Sequence, residues 1–106
     1  MKLTIEQARQ ALTEFPGWTL HTTRGGCITR EFEFADFVQA FGFMTQCALV
    51  AERMNHHPEW SNVYRRVSVT LTTHDVQGLS ARDIELARAM DAIAHKQNEQ
   101  IGRAHV

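Results

Sequence analysis

The chain has 106 residues, 43% apolar and 22% charged, which is enough for one modest core and excludes disordered, collagen-like and disulfide-scaffold classes. Its formal charge of -1 and lack of a dense Lys/Arg run argue against nucleic acid as a direct partner, with Arg65-Arg66 and the stretch 96–103 reading as solvated surface. No window approaches the roughly 18–20 apolar residues of a membrane span, residues 1–6 lack a signal-peptide core, and Cys27 and Cys47 have no CxxC spacing; a cytoplasmic chain with reduced thiols is expected.

Residues 4–14 read as a short helix, with Thr4 as cap, Gln7 three residues on, Leu3, Ala8, Ala11 and Leu12 at helical spacing, and Pro16-Gly17 as stop. Trp18 to Leu20 alternates apolar with polar. So do Ile28, Arg30, Phe32 and Phe34 against Thr29, Glu31 and Glu33, the period of a half-buried strand. Between them Arg24-Gly25-Gly26 supplies the permissive backbone of a tight antiparallel hairpin.

Residues 36–55 form the longest helical segment, about 30 Å long at 1.5 Å per residue, with Phe37, Phe41, Met44, Ala48 and Ala51 as its apolar stripe. Pro58 disfavours a helical His57, so the helix must stop at or just before His56-His57 and leave both imidazoles on a helix-to-strand corner. The pattern is then extended from Glu59 to Thr73, with Val67, Val69 and Leu71 on one face and Arg66, Ser68, Thr70 and Thr72 on the other. A straight run would hold His57 and His74 about 55 Å apart, whereas a reversal near residues 62–65 gives strands 59–63 and 66–73 and returns His74 to the corner.

Ser80 caps the last helix, with Asp83 at the capping-box position. That helix runs to about Gln100, with Ile84, Leu86, Ala87, Met90, Ile93 and Ala94 toward the core, and residues 102–106 are expected to fray. The order helix, hairpin, helix, hairpin, helix specifies an α+β fold over residues 1–106 as a single domain: a four-stranded antiparallel sheet with helices packed on one face. The other face, bearing Thr, Ser, Glu and Arg, is left to solvent or another subunit.

Imidazole titrates near neutrality, so His56, His57 and His74 at one corner are candidates for acid/base work, with Trp60 as a stacking surface for a flat polar ring. The bland reading is an exposed corner with two histidines on it. A three-histidine metal centre, with Asp75 or Glu52 as fourth ligand, is the weaker chemical reading, because successive side chains of an extended chain diverge. His21, His95 and His105 read as scattered surface. Glu52, four residues before His56, can touch that imidazole or form an ordinary surface pair. Asp83 can serve the helix cap or face the ligand.

The run Glu52-xxx-His56-His57-Pro58-Glu59-Trp60, then Tyr64, Leu71-Thr72-Thr73-His74-Asp75 and Gly78-Leu79-Ser80-xx-Asp83, resembles the pterin-4a-carbinolamine dehydratases, departing at Arg65, where that family commonly has Asn. The resemblance implies a lyase that dehydrates 4a-hydroxytetrahydropterin to quinonoid dihydropterin, with neither metal nor organic cofactor, recycling the pterin of an aromatic amino-acid hydroxylase. It implies His56 and His74 as the acid/base pair in unassigned order, His57 as the residue that binds and orients the pterin, and a homodimer or homotetramer. The rival from another class is a non-catalytic pterin-binding or dimerisation module of the kind that serves transcription.

Overall fold

The computed structural model describes residues 1–104, and side-chain surroundings through residue 99. His105 and Val106, the last two residues of the expected frayed tail, lie outside the described residues. The elements in chain order are α1 (Ile5–Leu12), β1 (Thr19–His21), β2 (Cys27–Glu33), α2 (Phe37–Met54), β3 (Glu59–Val63), β4 (Arg66–Leu71) and α3 (Ala81–Ala104). The four strands form one antiparallel sheet in the order β1-β2-β4-β3, so the two hairpins join along β2 and β4. This is the expected α+β architecture. Helix α3 continues four residues beyond Gln100, through part of the stretch expected to fray.

Register decides which side chains share a face, since residues directly opposite in a sheet point the same way. Ile28 stands opposite Leu71, Phe32 opposite Val67, and Trp60 opposite Val69, and these rows meet the helices. Phe43 of α2 closes the centre, its ring 4.7 Å from that of Phe32 and 4.9 Å from that of Phe34. One charge occupies the core-facing row of β2. Arg30 lies opposite Val69, and Asp91 of α3 accepts from its guanidinium at 2.8 Å and from the Trp18 indole N–H at 2.9 Å, so both buried-side donors are matched.

The expected apolar stripe of α2 is displaced at Phe37 and Phe41, while Ala51 is buried as expected and Met44 is partly buried against the core. The buried positions are Ala40, Phe43, Cys47 and Ala51, whereas Phe37 and Phe41 are 48% and 54% exposed. Both rows have helical spacing, so periodicity cannot rank them. The buried one carries Ala40, Cys47 and Ala51, whose small size lets the helix lie close on the sheet. The outward row leaves Phe37, Val38, Phe41 and Leu49 exposed.

Both termini of α2 follow from single residues. The Asp36 carboxylate accepts from the Gln39 N–H at 2.9 Å. At the other end Asn55 adopts φ 52°, ψ 43°; the His56 N–H then bonds the Ala51 carbonyl at 3.0 Å and the Asn55 N–H bonds the Glu52 carbonyl at 3.1 Å. That pair of bonds is a Schellman closure, and Asn tolerates the left-handed backbone it needs. The chain leaves the helix through Asn55, Pro58 holds it extended, and β3 begins at once.

Candidate active site

The Schellman corner after α2 and the 3-10 turn His74–Val76 after β4 stand side by side and enclose a cleft of about 350 Å3. His56, His57 and His74 all line it, with Asn55, Glu59, Thr72, Thr73, Asp75 and Arg82. The reversal expected near residues 62–65 is what brings His74 back. It is a two-residue turn at Tyr64-Arg65, with Tyr64 at φ 51°.

Each histidine presents its Nε2 to a different carboxylate. His56 meets Asp83 Oδ1 at 2.7 Å, His57 meets Glu52 Oε1 at 2.8 Å, and His74 lies 3.4 Å from Glu59 Oε2. Their surroundings differ sharply. His56 and Asp83 are 8% and 0% exposed, whereas the members of the other two pairs are each 46–80% exposed. Exposed pairs contribute little and are screened by salt. Only His56 is held rigidly.

The Asp83 carboxylate is fully used. Its Oδ2 accepts from the Thr73 hydroxyl at 2.6 Å and from the Ser80 N–H at 2.9 Å, and the Ser80 hydroxyl donates in turn to Thr73 Oγ1 at 2.7 Å. An ionised carboxylate only accepts, so neutral His56 carries its proton on Nε2. Its Nδ1 has no protein partner among the described residues. No buried polar atom there is left unpaired, so Nδ1 must keep contact with the cleft.

His74 is supported from a more distant part of the chain. Arg24, in the β1–β2 turn at φ 57°, donates to both Glu59 oxygens at 2.8 and 2.6 Å. This guanidinium holds the Glu59 carboxyl below the ordinary carboxylate range, with the nearby His74 acting in the same direction, while Glu59 raises the Arg24 pKa.

Three sequence expectations change here. Glu52 reaches His57 and not His56, because the left-handed Asn55 interrupts the i, i+4 spacing and turns His56 inward. Asp83 serves the Ser80 N–H as expected of a cap, but its 0% exposure places it behind His56 and out of direct reach of a ligand. Trp60 does not line the cleft; it packs half-buried against the core opposite Val69. Among the described residues no three His, Cys, Asp or Glu side chains are grouped as metal ligands. Sequence reasoning missed Thr73, Glu59, Arg24 and Arg82. Thr73 and Glu59 stood inside the motif, but the Arg24–Glu59 pairing spans 35 positions and left no local signal.

The family model of "Pterin 4 alpha carbinolamine dehydratase" matches residues 1–93. A protein of Rhodopseudomonas palustris (strain BisB18), provisionally named a pterin-4-alpha-carbinolamine dehydratase, is 57% identical over 93 residues, covering 88% of this chain and 91% of its own. One of Bradyrhizobium diazoefficiens (strain JCM 10833 / BCRC 13528 / IAM 13628 / NBRC 14792 / USDA 110) with the same provisional name is 58% identical over 93 residues, covering 88% and 92%. Among solved structures, a transcriptional coactivator/pterin dehydratase from Brucella melitensis superposes with a TM-score of 0.84 at 50% identity, over 89% of this chain and 99% of that one. A pterin dehydratase-like RuBisCO assembly factor of the alpha-carboxysome shares the fold, with a TM-score of 0.64 at 20% identity over 74% and 89%. With nearly all of the folded chain matched by the family model, by relatives above half identity and by a superposable structure, this chain belongs to the pterin-4-alpha-carbinolamine dehydratase family.

Proposed function

We propose that this protein is a hydro-lyase that dehydrates 4a-hydroxytetrahydropterin to quinonoid dihydropterin by histidine acid/base catalysis. The observation that carries the reading is the shared cleft with three imidazoles, each backed by its own carboxylate. The reaction breaks the C4a–O bond, and the hydroxyl leaves as water once protonated. A proton is lost from the ring nitrogen as the C=N bond forms. Both transfers suit groups that titrate near neutrality. In its neutral form His56 offers an unprotonated Nδ1 to the cleft, so we assign it the base, and the exposed His74, beside Glu59, the acid. His57, with Glu52, binds and orients the pterin. Asp83 acts through His56 by fixing its tautomer and later neutralising the imidazolium.

In this reading residues 1–106 are one catalytic domain, cytoplasmic, needing no cofactor and recycling the pterin of an aromatic amino-acid hydroxylase. No helix among the described residues is long and apolar enough to cross a membrane. The exposed Phe37, Val38, Phe41 and Leu49 on α2 support self-association as a homodimer or homotetramer. The same apolar face also favours the second reading, a non-catalytic dimerisation or transcriptional cofactor. The test is dehydration of freshly generated 4a-hydroxytetrahydropterin against the spontaneous rate, with and without chelator. Acceleration that survives chelator is expected. No acceleration by folded protein would sink the catalytic reading and leave the binding one.

A further inference from the structure

The geometry points to an anion subsite beside the histidine cleft, built around the Lys2 ammonium, that receives a negatively charged substituent on the pterin. This rests on the reading of the histidine cleft as a pterin site and extends it to the class of substrate. A second cleft of about 460 Å3 adjoins the first, sharing Thr72, Thr73 and His74 as wall, and is otherwise lined by Lys2, Arg24, Gly25, Gln77 and Gly78. A ring lying against His74 can therefore direct a substituent into either of two neighbouring spaces, one of which is lined by Lys2 and Arg24.

Lys2 is positioned there by its neighbours. The N–H of Leu3 bonds the Leu79 carbonyl at 2.7 Å, and Thr4 caps α1, so the chain on either side of α1's start is fixed. Its stem crosses a saddle made by two glycines from different turns. A Cβ on Gly78 would stand 2.5 Å from Lys2 Cε, and one on Gly25 would stand 3.2 Å from Lys2 Nζ and 1.9 Å from the Gln77 carbonyl oxygen. Only glycine leaves this floor open.

The charges near the saddle are unequal in availability. Arg24 is committed to Glu59 through two hydrogen bonds, which cancels that pair. Lys2 has no hydrogen bond or ion pair among the described residues, so its ammonium is the uncompensated charge. A phosphate or carboxylate on the substrate would supply its missing partner.

The test compares 6-hydroxymethylpterin with its phosphate monoester, which differ only in the anionic group, by calorimetry on the full chain at low ionic strength. The phosphate ester is expected to bind about five- to tenfold more tightly, the advantage shrinking as salt is raised. Lys2→Gln, at an exposed position, should abolish the difference between the two ligands. Equal affinities for the native chain, or a preference that persists in Lys2→Gln, would overturn the subsite while leaving the pterin reading intact. Failure of the native chain to bind either pterin would overturn both.

Discussion

Asp83→Asn is the substitution that separates the role of the His56 tautomer from that of its mere position. The native carboxylate accepts three hydrogen bonds, from His56, Thr73 and Ser80. An amide of the same shape has one oxygen, which can keep the Thr73 and Ser80 donors. Its NH2 then faces His56 Nε2, and two donors cannot meet. The imidazole must move its proton to Nδ1, so the nitrogen that accepted in the cleft becomes a donor. Exchange of a charge-assisted bond for a neutral one costs about 1–2 kcal/mol of stability, and the fold should survive. Dehydration should fall by about 10²–10⁴-fold, the contribution of a general base.

Asp83→Ala makes the contrast. It strands three buried donors and should cost about 3–5 kcal/mol, the usual loss when one partner of a buried pair is removed. Urea unfolding measures the stabilities, and dehydration above the spontaneous rate measures the activity. Nitrogen-15 spectra of the His56 ring report the tautomer directly. A folded Asp83→Asn variant that keeps the Nε2 proton, or dehydrates within about twofold of the native rate, would refute the argument that the carboxylate sets the working nitrogen.

Three further outcomes are expected. Glu59 has its carboxyl pKa depressed below the ordinary 4.5 in the folded chain, so its stabilising contribution is complete above the unfolded value and is lost as pH falls through the folded one. The gap in melting temperature between the native chain and Glu59→Gln should thus be full at neutral pH and close as pH falls through the folded value; a gap that widens in acid would contradict it. Burial pushes the Cys47 thiol up to about 12, leaving roughly one thiolate in ten thousand at pH 8. Iodoacetamide should modify Cys47 at the rate of global unfolding, as peptide mapping would reveal. Phe37→Ser with Phe41→Ser removes exposed rings and little core, so light scattering should find the doubly substituted chain monomeric with cooperative unfolding, against a dimeric or tetrameric native chain.

What could be read in the sequence was whatever a residue enforces on its immediate neighbours. Thr4 and Gln7 form both halves of the expected capping box, Pro58 fixes the corner after α2, and the alternation around Val67, Val69 and Leu71 gives β4 and its buried face. Those local rules also return His74 to the histidine pair, since a chain of that length must fold back to pair as a sheet. The α2 stripe was not legible in the same way. Two apolar rows satisfied the helical period, and the choice between them depends on how closely Ala40 and Cys47 let the helix approach the sheet.

The carboxylates show why the site was harder to read than the fold. Spacing proposed Glu52 for His56, a contact that needs the backbone to stay helical as far as His56. Asn55 ends the helix one residue too soon, which hands Glu52 to His57 and leaves His56 to a partner 27 positions away. A single left-handed residue thus determines which imidazole is buried against a fixed carboxylate and which remain exposed. The exchange has a chemical consequence. Had Glu52 held His56, that imidazole would share an exposed, salt-screened pair, His57 would lose its carboxylate, and no one ring nitrogen would be fixed in advance. With Asp83 behind it, neutral His56 faces the cleft in one tautomer, while the exposed pairs of His57 and His74 leave those rings room to adjust to whatever the cleft receives.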